Sequence, residues 1–331
     1  MLFPRLILPL IIATTICGAQ AAFAMLPSHR QLSFPPGQNI GILFLKRNDL
    51  PLSMVTNGVA PASGQRTIDV PAGYRLLLEP NPKLFLNPAP LDGCDLSNIE
   101  ALRITFLSME TSESGFADRL LKHLKHIDNL ELLCVRNSDI SDDGLRQLAP
   151  VPHLKELWAN ASHVSGKILT RADFTALETL DLSDCTIDPS SIKMFPTLKK
   201  LTALFVRNIN LTPSQFSQIA NCKSLTNLNI AYNASIDDSC VADLARLDKM
   251  QFLGLGGTKI STDALLRLHL KNLKTVTVPR LASDYSPREL TSLKAKFGKA
   301  LRFPTRTTAK GSGASELLEI MAPRTSLPGM R

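Results

Sequence analysis

From residue 130 onward the aliphatic positions repeat in one frame: an aliphatic residue, followed three and five places later by two more. The frame opens at Leu130 (LELLCVRNSDI), Leu154 (LKELWANASHV), Leu177 (LETLDLSDCTI), Leu201 (LTALFVRNINL), Leu225 (LTNLNIAYNASI), Met250 (MQFLGLGGTKI) and Leu273 (LKTVTVPRL). The intervals are 24, 23, 24, 24, 25 and 23 residues. A weaker copy, IEALRITFLSM, opens at Ile99, 31 residues before Leu130, as suits an atypical terminal unit. The alternating pair predicts a short strand with its aliphatic residues on one face. A single repeat cannot bury that face, whereas stacked repeats with parallel strands can.

Between the predicted strands lie helix start signals. Ser141, Asp188, Thr212 and Ser261 each place a capping oxygen ahead of a return segment, and Pro189 and Pro213 fall at the first helical position. At Ser286-Pro287-Arg288-Glu289 a capping box predicts a final helix through about Leu301.

The LxxLxLxx(N/C/T)xI frame resembles the leucine-rich repeat family over residues 99–281. Segments such as ISDDGLRQL and ISTDALLRL are similar to cysteine-containing or bacterial repeats with convex helices. The resemblance implies an α/β solenoid, with a parallel concave sheet and convex helices. It also implies a buried ladder position, which here reads Ser138, Ser162, Cys185, Ile209, Asn233, Thr258 and Leu281. Ile209 and Leu281 have no side-chain group to bond a loop, so the frame leaves those two turns unexplained.

Outside the array the chain changes character. Residues 25–98 carry Pro and Gly turns between β-like runs, and predict a small β-rich domain capping the open end. Residues 282–304 predict a C-terminal capping helix. Residues 305–331 are rich in small, polar and Pro residues and read as a disordered tail. Residues 1–24 read as a signal peptide: Arg5 is the single charge, residues 6–16 are apolar around Pro9, and Ala22-Phe23-Ala24 suits cleavage before Met25. An uncleaved anchor and a lipid-modified Cys17 are the alternatives; contact with a membrane is expected only if the segment stays uncleaved. The expected location is exported, periplasmic or extracellular. Cleavage leaves Cys94, Cys134, Cys185, Cys222 and Cys240, an odd number, so at least one thiol stays free.

The composition narrows the function classes. The chain has 331 residues, 44% of them hydrophobic and only 5% aromatic, so its core is aliphatic. Nine Lys and Arg against four Asp and Glu give residues 282–331 a charge of +5, out of +8 for the chain. The repeats are therefore nearly neutral, which argues against nucleic acid as a partner. His123 and His126 lie three apart on a predicted helix, but no third ligand or HExxH glutamate accompanies them. The Gly254, Gly256, Gly257 string lies in a predicted repeat strand without a phosphate loop. No GxSxG, P-loop or paired-carboxylate spacing occurs, so no enzyme, cofactor or metal site is expected.

Strand phase then picks the recognition positions. The outward columns hold the sole Trp, Trp158, with Asp181, Phe205 and Cys134 in line with it. Leu132 and Glu156 stand in the preceding column, and Arg136 and Arg207 in the following one. Trp158 and Phe205, two strands apart, are expected roughly 10 Å from each other with Asp181 between them. Exposed aromatics beside Arg are the composition of interface anchors. The expected protein-binding set is Leu132, Arg136, Glu156, Trp158, Asp181, Phe205 and Arg207, taking a protein or peptide ligand. A second reading is a ubiquitin-ligase-type adaptor or host-directed effector with F-box-like repeats. A third is a cell-envelope enzyme with its catalytic part in the N-terminal domain.

Overall fold

The aliphatic pairs of the repeat frame lie in register from one coil of the chain to the next. The computed structural model describes residues 28–49, 58–105 and 115–305. The leader of residues 1–24, the junction at Met25 and the tail after Thr305 lie outside the described residues.

Five strands precede the repeats: β1 (Ser28–Ser33), β2 (Gly41–Arg47), β3 (Ala60–Pro61), β4 (Gln65–Val70) and β5 (Tyr74–Pro80). The repeats supply β6 (Ala101–Arg103), β7 (Leu132–Cys134), β8 (Glu156–Trp158), β9 (Thr179–Asp181), β10 (Ala203–Phe205), β11 (Asn227–Asn229), β12 (Phe252–Gly254) and β13 (Thr275–Thr277). A last strand, β14 (Leu301–Arg302), follows the C-terminal helix. Leu133, Leu157, Leu180, Leu204, Leu228, Leu253 and Val276 are successive partners in the parallel ladder from β7 to β13. They and the second aliphatic of each frame, such as Leu182 and Ile230, are buried in one continuous core. The α/β leucine-rich repeat solenoid is thus built on the strand phase expected from the frame.

Most of the N-terminal strands continue the sheet of the repeats. β5 pairs with β6 in parallel and β2 with β5 antiparallel, giving one twelve-stranded sheet from β14 to β3. Leu43, Leu76 and Leu78 join the same core as the repeats. Only β1 and β4 stand apart, as an antiparallel pair. The physical reason lies in β5: its alternation YRLLLEP buries Leu76 and Leu78 on the repeat phase, so the ladder runs on without a break.

The convex wall is mixed. Ser141 caps α2 (Asp142–Gln147), Thr212 forms a capping box on α3 (Pro213–Ile219), and Ser261 caps α5 (Thr262–Arg267). Helices α1 (Phe116–Leu121) and α4 (Val241–Ala245) are equally short. Asp188 caps a 3-10 helix, Pro189–Thr197, and the repeat before it returns through two more, Lys167–Thr170 and Ala172–Ala176. The C-terminal helix, α6 (Pro287–Phe297), has its capping box at Ser286 and Glu289 but ends four residues early. Gly298, at φ +52°, turns the chain so that Leu301 and Arg302 extend the sheet.

Acidic side chains join successive coils. The Asp118 carboxylate accepts the Ser141 N–H and Oγ–H, Asp142 accepts the N–H groups of Ser165 and Ile168, and Asp238 accepts the N–H and Oγ–H of Ser261. Asp139 similarly accepts three backbone N–H groups at the start of α1. These bonds occupy the donors that a short helix leaves free at its N-terminus. Among the described residues the five cysteines are buried and free. Among the described residues no helix is long and apolar enough to cross a membrane.

Candidate binding face on the concave sheet

Alternation along the strands leaves one face of the sheet outside the main core, and that face is not uniformly polar. Leu77 of β5, Ala101 of β6, and Leu132 and Cys134 of β7 form a second apolar cluster, with Phe44 of β2 and Trp158 of β8 packed on it. Trp158 also packs on Ala203 and Phe205 of β10. An apolar stripe therefore crosses the concave face from Phe44 to Phe205, with Trp158 joining its two halves.

The two rings meet directly. Trp158 and Phe205 stack with centroids 5.7 Å apart and planes 16° from parallel, closer than the roughly 10 Å set by strand spacing. Both side chains lean across β9, whose Asp181 lies buried between their strands. Burial pushes the Asp181 carboxyl up to about 6, against the N–H bond it accepts from Ser183 and the nearby Arg136 charge.

Charged side chains flank the stripe. Arg75 of β5, nearly buried, donates from Nε to Glu131 Oε2 at 2.9 Å and from Nη1 to Glu156 Oε1. Lys155 Nζ reaches Glu131 Oε1 at 2.6 Å, and Trp158 Nε1 donates to Glu156 Oε2 at 3.0 Å. One network thus runs Lys155–Glu131–Arg75–Glu156–Trp158 and fixes the indole edge. Burial by itself would lower the Arg75 value, but Glu156 and Glu131 reverse that and hold it above its ordinary range. Arg103 pairs with Glu79 at 2.5 Å and lies over the Phe44 ring. Arg207 pairs with Asp184 at 2.9 Å and lies 4.4 Å from the Tyr232 ring centre.

The seven expected recognition residues all stand on this face, but not equally open. Leu132, Asp181, Phe205 and Arg207 are 0%, 2%, 1% and 4% exposed, which corrects their reading as free anchors. Neighbouring side chains on the same face surround them: Leu132 lies in the cluster on which Trp158 packs, Trp158 stacks on Phe205, and Asp184 and Tyr232 hold Arg207. Arg136, Glu156 and Trp158 remain half-exposed. Phe44, Leu77, Arg75 and Glu131 lie on the same face or in its ion-pair network, outside the expected set. For Phe44, Arg75 and Leu77 the signal is the alternation of residues 42–46 and 75–79, which carries meaning only once β2 and β5 are known to continue the sheet.

The ladder position resolves the two unexplained turns. Asn233, fully buried, donates from Nδ2 to the carbonyls of Val206 and Ile230, and its Oδ1 accepts the N–H groups of Ile209 and Leu211. The turn at Ile209 is therefore bonded by the next repeat. At Leu281 the Tyr285 hydroxyl accepts the N–H of Arg280 instead. Ser138, Ser162, Cys185 and Thr258 each bond a strand-exit carbonyl from the same position. The repeats thus form a solenoid whose turns are bonded from one buried ladder position.

No protein-family model and no curated protein matches this chain. Among solved structures it is similar to an internalin of Listeria monocytogenes, at 19% identity and a TM-score of 0.42, over 66% of this chain and 64% of that one. Internalin C2 of the same bacterium gives 16% and 0.39, over 56% and 78%. A leucine-rich repeat protein of Leptospira interrogans gives 17% and 0.40, over 63% and 55%. The chain thus spans less than two thirds of the first and third of these structures. The repeat architecture rests on the chain's own register and ladder bonds.

The histidine pair falls elsewhere than expected. Helix α1 ends at Leu121, His123 Nδ1 lies 2.9 Å from Asp92 Oδ2, and His126 has a left-handed backbone, so one helix face does not carry both rings. Among the described residues no three His, Cys, Asp or Glu side chains converge as a metal site. Gly254 makes room for Asn229, whose Oδ1 would lie 2.6 Å from an added Cβ.

Proposed function

We propose that this protein is a non-catalytic binding module that takes a protein or peptide ligand on the concave face of its solenoid. The observation that carries the reading is the apolar stripe centred on half-exposed Trp158, rimmed by Arg103, Arg136 and Glu156. An aromatic anchor within a ring of polar groups is the composition that concentrates binding energy. The leader chemistry of residues 1–24 supports action after export, in the periplasm or outside the cell.

The test is a comparison of variants against a partner captured from envelope extract or culture medium. Trp158→Ala is expected to weaken binding by at least about 2 kcal/mol. His123→Ala, on the outer wall, is the control and leaves binding intact. Loss of binding in the control with full binding in Trp158→Ala contradicts the assignment.

A further inference from the structure

The described chain ends on the concave face. After β14, Pro304 passes over Gly256: a Cβ placed on that glycine would lie 3.5 Å from Pro304 Cβ. Gly256 and Ala231 begin a row of outward positions that continues through Arg207, Ser183 and Asn160 to Arg136. The two small residues leave its C-terminal end shallow. Residues after Thr305 therefore start on the same face as the ring pair. From β12 to β8 is four strand spacings, about 19 Å. The ten residues 306–315 reach about 33 Å when extended.

Two groups near the middle of that face keep accessible surface. Trp158 is half-exposed. Arg75, Arg103 and Arg207 each hold a carboxylate, whereas Arg136 makes one side-chain bond, from Nε to Cys134 Sγ at 3.3 Å, and no ion pair among the described residues. The sequence after Thr305 carries one cluster that suits both. Glu316-Leu317-Leu318-Glu319-Ile320-Met321 combines four large apolar side chains with both carboxylates of residues 306–331.

We propose that residues 316–321 dock in cis on the concave face, with apolar side chains over the Trp158–Phe205 pair and a carboxylate on Arg136, so that an outside ligand must displace them. Burying the exposed indole face drives the contact, and Arg136 sets its position along the row. The inference shares the ring patch with the binding-module reading but does not rest on it, because its test uses no outside ligand.

Trp158 is the only tryptophan, so its emission reports this patch alone. The full chain and its Leu317→Asp/Ile320→Asp variant are compared by acrylamide quenching, with denaturant midpoints as the check on folding. The variant is expected to raise the quenching constant by at least about twofold with an unchanged midpoint, since water then reaches the ring. Arg136→Glu is expected to raise it as well, and Glu316→Arg/Glu319→Arg in that background to lower it again. Equal quenching in the parent and the Leu317→Asp/Ile320→Asp variant overturns the proposal. Protection that grows with protein concentration also overturns it, in favour of a second copy supplying the segment.

Discussion

Trp158 stacks on Phe205 across an intervening strand, and the carboxyl of Asp181 is buried between the strands that carry them. The stack joins two apolar clusters that would otherwise be separate patches on the concave face. Its energy should therefore be shared between the two rings. In urea melts, Trp158→Ala and Phe205→Ala are expected to be non-additive, with a coupling of about 0.5 to 1.5 kcal/mol. Additive losses would show that the rings contribute separately.

Asp181 predicts a pH dependence of known sign. Its folded value of about 6 lies above the ordinary 3.8, so the folded state holds this proton more tightly than the unfolded chain. The resulting stability is fully present below about pH 4 and is lost as pH rises through about 6. Arg136 opposes the shift, and Asp184 adds to it. Asp181→Asn is expected to match the parent near pH 4 and to exceed it by up to about 2 to 3 kcal/mol above pH 7. Chemical denaturation at the two pH values checks this; a parallel offset at both would contradict it.

Asn233 ties two repeats together through four backbone groups. Asn233→Ala leaves buried donors and acceptors unpaired and is expected to cost more than about 3 kcal/mol. Ser138→Ala, which removes one bond to the Val135 carbonyl and a weak one from the Ile140 N–H, should cost about 1 kcal/mol. Similar midpoints for the two variants in denaturant would contradict the ladder assignment.

Strand exits predict a gain rather than a loss. Asn137, Ala161, Asp184, Asn208, Tyr232 and Gly257 occupy the same turn position at φ between 50° and 71°. Alanine is poorly suited to that region, and Ala161 is exposed, so its side chain gives up little when removed. Ala161→Gly is expected to stabilise by up to about 1 kcal/mol, read from the thermal or denaturant midpoint. A destabilised variant would mean that the methyl group packs on a neighbour.

The repeat phase was legible because a strand has a period of two and the frame recurs at nearly constant spacing. Leu180 and Leu182 face the core while Thr179 and Asp181 face the concave side, as that period requires. What stayed hidden depends on side-chain reach. Strand spacing places the Cα atoms of Trp158 and Phe205 but does not say that both rings lean over Asp181. Nor does it say that Arg75 would reach Glu131 and Glu156, because that needs β5 beside β6, a pairing between segments of unlike sequence. The return at 189–197, expected as a helix from Asp188 and Pro189, is a 3-10 helix with Pro196 inside it, and Gly166 at φ +88° sets the start of Lys167–Thr170.

The most direct test of concave-face recognition is hydrogen exchange on the protein with and without its captured partner. The account predicts slowed exchange at the backbone amides of 132–136, 156–160, 179–184 and 203–208, with the convex segments 142–147, 189–197 and 213–219 unchanged. Protection confined to the convex segments, with the concave strands exchanging as in the free protein, would contradict it.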